Sequence, residues 1–71
     1  MKLFRNCRYE VHVHVPNNSR WSRHHSYAAA YRSYREAVNN KRDDHPAGTR
    51  VDLRDVGDGR DQILEQGVVR P

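Results

Sequence analysis

The 71-residue chain predicts an α+β fold, a small ββαββ domain with one helix packed on an antiparallel sheet. Three observations carry that expectation. Tyr9, Val11, Val13 and Val15 alternate with Arg8, Glu10, His12 and His14, the period of a strand with one buried face. Tyr27, Ala30, Tyr31, Tyr34, Ala37 and Val38 recur at three- and four-residue steps, the spacing of one helical stripe. Val51 and Leu53 alternate again, and the Gly57-Asp58-Gly59 turn leads on to Ile63 and Leu64.

Taken in order, Pro16 is expected to end the first strand, and the cluster Pro16, Asn17, Asn18, Ser19 has turn chemistry. A short second strand over residues 20–25 completes the hairpin. Ser26 then stands at a helix N-cap, where its hydroxyl accepts from the amides of the first turn. The helix is expected to run to about Arg42, with Lys41 and Arg42 suiting the negative end of its dipole and His45-Pro46 with Gly48 stopping it. Gly67 suggests a bulge or fraying end in the last strand. The domain is read as residues 8–66, between an arm at 1–7 and a tail at 67–71.

Composition narrows the function classes. A chain this short buries roughly 60% of its unfolded surface and leaves little room for a deep catalytic cleft. Leu, Ile, Val and Phe number only 13, so the core must be thin. Cys7 is the single thiol, which excludes an internal disulfide and favours a cytoplasmic site. The opening MKLFRN continues without an apolar run of signal-peptide length, and no stretch is long enough to span a membrane. Charge is lopsided: residues 1–42 hold nine Lys or Arg against two acids, and residues 43–71 hold four against seven. A basic front half is drawn to an acidic surface, either protein or nucleic acid.

The alternation sets His12 and His14 on the face away from the valines. The direction of Trp21 depends on the hairpin connection: one parity places it inward, where a small core needs aromatic area, and the other places it outward beside the histidines. Pointing outward, Trp21 joins His12, His14, Arg23 and nearby Arg8 in an aromatic and cationic patch suited to an interface. Arg20, His24, Arg32 and Arg35 complete the candidate partner-binding set, on the expectation that the sheet face is continuous with the helix arginines. His-x-His with His24, His25 or Glu10 has the spacing for a metal, but no Cys pair or His-Glu-x-x-His accompanies it, and no metal or other cofactor is expected.

Catalysis finds less support. Cys7 with a histidine would need a pocket around it, and none is signalled. Asp43, Asp44, Asp52, Asp55, Asp58, Asp61 and Glu65 read as a solvated face and turn formers. Tyr27, Tyr31 and Tyr34 are at core spacing, which would remove them from stacking on bases. Gly57 to Gly59 lacks the helix and Lys-Ser or Lys-Thr of a phosphate loop.

The stretches "SYAAAYRSYREAV" and "HPAGTRVDLRD", following two short strands, resemble in layout the small phage-encoded host-takeover proteins, such as the phage T7 inhibitor of bacterial RNA polymerase. The likeness spans roughly residues 9–56. It implies a host-directed protein acting in the host cell cytoplasm that docks on a large complex and has no activity of its own. The acidic strip of that inhibitor is not matched. The expectation is therefore a non-catalytic protein whose basic face occupies an acidic surface of a host complex, with RNA polymerase as the named partner. Direct binding of DNA or RNA by the same face is the alternative.

Overall fold

The protein is described by a computed structural model covering residues 7–15, 19–41 and 45–71. Strands β1 (Tyr9–His14) and β2 (Arg20–His24) lead into helix α1 (Tyr27–Val38). Strand β3 (Arg50–Asp55), a short 3-10 turn at Gly57–Gly59 and strand β4 (Gln62–Val68) complete the ββαββ order. The four strands form one antiparallel sheet ordered β2-β1-β3-β4. The two hairpins thus meet along β1 and β3, with Val11 opposite Leu53 and Val13 opposite Val51.

Alternation does what the sequence predicts on one face. Val11, Val13, Val51 and Leu53 point to α1, where Ala30 and Tyr34 are buried against them, and Val69 closes the cluster. Ser26 caps the helix, accepting from the amide of Ala29 at 3.2 Å. At the other end α1 stops at Val38, one turn short of the expected Arg42, which lies outside the described residues.

Asn40 explains the early stop. It adopts a left-handed φ of 53°, and the amides of Asn40 and Lys41 donate back to the carbonyls of Ala37 and Glu36. This is a helix-terminating Schellman pattern with Asn in the usual glycine place. The Asn40 side chain then clasps the backbone of His45, donating to its carbonyl at 3.1 Å and accepting from its amide at 3.3 Å.

The expected 67–71 tail is instead part of the domain. Gly67 and Val68 belong to β4, Val69 is buried, and its amide donates to Thr49 while its carbonyl accepts from Gly48. Gly67 is neither a bulge nor a frayed end: a Cβ there would meet the Tyr34 hydroxyl at 2.7 Å, so its missing side chain lets the helix tyrosine settle on β4. The irregularity falls at Leu64, where Leu53 pairs with Glu65 but Arg54 pairs with Ile63. This bulge reconciles the adjacent Ile63 and Leu64, since Leu64 packs on the core and Ile63 is exposed.

The connection that the sequence places at Pro16 to Ser19 lies outside the described residues from 16 to 18, as does the 1–7 arm except for Cys7. Among the described residues no helix is long and apolar enough to cross a membrane.

Candidate interaction surfaces

Register decides the direction of Trp21. Val13 pairs with Arg20 and His12 with Trp21, so the indole stands on the outer sheet face, away from α1. Of the two directions the sequence leaves open, the outward one is realised: β2 turns Arg20, Ser22 and His24 to the helix side. Trp21 is 54% exposed, and its ring lies beside His12 at 6.3 Å and under the Arg23 guanidinium at 4.7 Å. His12 also stacks with His14 at 6.2 Å. The outward patch of His12, His14, Trp21 and Arg23 therefore forms as a cross-strand row.

Its charge is largely answered from within. Glu10 accepts from His12 at 2.8 Å and pairs with Arg23 at 3.2 Å. Asp52 is fully buried at the centre of the face, bonded to His14 at 2.9 Å, Gln66 at 3.0 Å and Arg54 at 3.3 Å, with Arg50 at 3.5 Å. Burial would push the Asp52 carboxyl up. The hydrogen bonds from Gln66, His14 and Arg54, with the charge of Arg50, outweigh burial and hold it below its ordinary value. Arg54 also reaches Asp61 at 3.0 Å.

Arg8 is committed as well. It grips Asp55 through two bonds of 3.1 and 3.0 Å, which, with the Gly57 amide, hold that carboxyl below the usual range. Gly57 makes this grip possible, because a Cβ there would sit 2.8 Å from the Arg8 side chain. Asp52 and Asp55 are thus buried ion-pair centres, not the solvated acids the composition suggests. Asp43 and Asp44 lie outside the described residues.

The remaining candidates lie elsewhere. Arg32 and Arg35 are exposed on α1, across the sheet from Trp21, so the expected continuity of the basic sheet face with the helix arginines is absent. Arg20 opens β2 on the helix side. His24 is half-buried there, within 2.8 Å of the Ser22 hydroxyl, and burial pushes its imidazole below its ordinary value. Arg20, Arg32, Arg35, Lys41 and Arg70 are exposed and form no ion pair among the described residues.

Between β2 and α1 runs an open groove of about 310 Å³. Val11, Val13 and Ala37 line it, with Arg20 and Lys41 among its polar residues. It exists because α1 lies over β1 and β3 and leaves β2 largely uncovered.

The tyrosines also divide. Tyr34 is buried, but Tyr27 and Tyr31 remain 41% and 37% exposed in a ladder that runs from Tyr9 through Tyr27 and Tyr31 to Tyr34, with ring separations of 5.7 to 5.9 Å. Core spacing on the helix was not enough to bury all three, because the small sheet ends before the stripe does. Cys7 lies 3.7 Å from a ring nitrogen of His25. Among the described residues no group of three or more His, Cys, Asp or Glu is placed to hold a metal ion.

A scan of protein-family models, a search of curated proteins and a search of solved structures each return no match to this chain.

Proposed function

We propose that this chain is a non-catalytic binding protein that docks on an acidic surface of a larger host complex and modulates it. One observation carries the reading: ion pairing is uneven. The outer-face arginines are matched with Glu10, Asp52 and Asp61, whereas Arg20, Arg32, Arg35 and Lys41, on the helix side and the β2 margin, have no such acid among the described residues. Cations not matched by an acid among the described residues are the ones that would steer an anionic partner. The docking surface is thereby moved from the outer sheet face to the side of α1. The layout resemblance adds RNA polymerase as the complex and the host cytoplasm as the place.

Purified bacterial RNA polymerase tests the specific form of this reading, and capture from host lysate tests the general one. Binding is expected to weaken steeply between about 0.05 and about 0.3 M salt, where screening shortens the reach of exposed charges. Arg32→Glu with Arg35→Glu is expected to weaken it further, while Arg23→Glu acts mainly through its lost pairing with Glu10. Capture that ignores both salt and the helix variants would refute the reading.

A second reading, single-stranded nucleic acid, is favoured by the outward Trp21. An exposed indole beside His12 and Arg23 on a sheet is the arrangement on which bases stack. Anisotropy with a random-sequence oligonucleotide should then show salt-sensitive binding, with quenching of Trp21 fluorescence. Silence in that assay removes this reading.

A further inference from the structure

We infer that β2 is a docking strand: an extended acidic segment of the partner adds to its outer margin, which pairs with no other strand among the described residues, and places alternate side chains in the groove beside α1. The inference rests on the acidic-partner reading and specifies how such a partner is held. The sheet has two margins, and they differ. β4 carries the bulge at Leu64, which disturbs any ladder built on it. β2 pairs with β1 in unbroken register from Tyr9 opposite His24 to Val13 opposite Arg20, so its other margin presents regularly spaced backbone donors and acceptors.

The flanking chemistry selects the occupant. Residues alternating along an added strand face opposite ways. One set passes over the groove, where Val11, Val13 and Ala37 give an apolar floor and Arg20 and Lys41 supply positive charge against one acid, Glu36, among the described residues. The other set passes the exposed indole of Trp21. The matching segment alternates acidic with apolar residues. A second copy's β2, with the sequence RWSRH, is disfavoured because it brings no acid to meet Arg20 and Lys41.

The probe is a fluorescein-labelled octapeptide of alternating Glu and Val, with two versions N-methylated at alternate residues. Binding is read by anisotropy and by amide protection of Arg20–His24. An added strand turns only every second amide toward β2. One methylated version should therefore bind like the parent and the other at least about tenfold more weakly, the loss expected from removing two or more net hydrogen bonds. Protection should rise at β2 and not at β4.

Equal binding of all three peptides would overturn strand addition and leave the acidic-partner reading standing. No binding of the octapeptide or of polyglutamate at low salt would remove both. Protection of β2 that grows with protein concentration alone would replace the acidic segment with a second copy and overturn the inference.

Discussion

Gly67→Ala should destabilise the domain through a single contact that a second substitution can relieve. The new methyl would sit 2.7 Å from the Tyr34 hydroxyl oxygen and 3.3 Å from Val38 Cγ2, with the next Tyr34 atom already at 3.6 Å. Tyr34 is buried between helix and sheet and has little room to withdraw. The expected cost is about 1–3 kcal/mol, the usual range for overpacking. For a domain of this size whose total stability is on the order of 4–10 kcal/mol, that is a large fraction. It corresponds to a drop in Tm of about 4–8 °C per kcal/mol.

Tyr34→Phe removes the offending oxygen. In that background Gly67→Ala should be close to neutral or slightly stabilising, because Gly67 has no left-handed φ and alanine reduces the freedom of the unfolded chain by about 0.4–1 kcal/mol. Urea unfolding of the four proteins at 25 °C closes the cycle, with a coupling of about 1–2 kcal/mol expected for groups in contact. Equal destabilisation in both backgrounds would show that Gly67 serves the backbone and not the approach of Tyr34.

Other expectations follow from the same geometry. Ser26→Ala should cost about 1 kcal/mol by removing the N-cap bond, read as a lower urea midpoint with an unchanged slope. Asp52→Asn should lower stability by about 1–3 kcal/mol by stripping the charge that Arg54, His14 and Arg50 share, and a mutant as stable as the parent would refute the buried-centre reading. Acid should act in two stages. His24 binds its proton less readily folded than unfolded, so stability is full above its unfolded value of 6.5 and declines as pH falls through it. Asp52 and Asp55, held below their unfolded value of 3.8, add stability that is present above that value and lost as pH falls below it. Urea midpoints from pH 8 to 2 should show both steps, with the first absent in His24→Gln.

The fold was readable because period and punctuation agreed. The valine alternation, the Ser26 cap and the Gly57-Asp58-Gly59 turn each rest on local chemistry that needs no knowledge of the rest of the chain. The helix end was also written locally, in Asn39-Asn40, but the more conspicuous His45-Pro46 drew the boundary past it. What sequence could not supply was register and coverage. A one-residue difference in where β2 meets β1 is invisible in composition, and so is the width of sheet that one helix can roof. Those two quantities decide that Trp21 faces out and that Tyr27 and Tyr31 stay partly wet. Nor could the sequence pair Asp52 with His14 and Arg54, because their meeting depends on β1 lying beside β3. The charge bias was legible as a total, but which arginines remain unmatched is a property of the fold.

For the strand addition inferred at β2, the bulge at Leu64 on the opposite margin would limit how large an assembly could grow. With one margin regular and the other irregular, an incoming strand can cap the sheet but finds no equivalent site at the far side on which to continue. Complexes formed by strand addition at β2 would therefore terminate after one addition, as at a stopper and not as at a link in a filament.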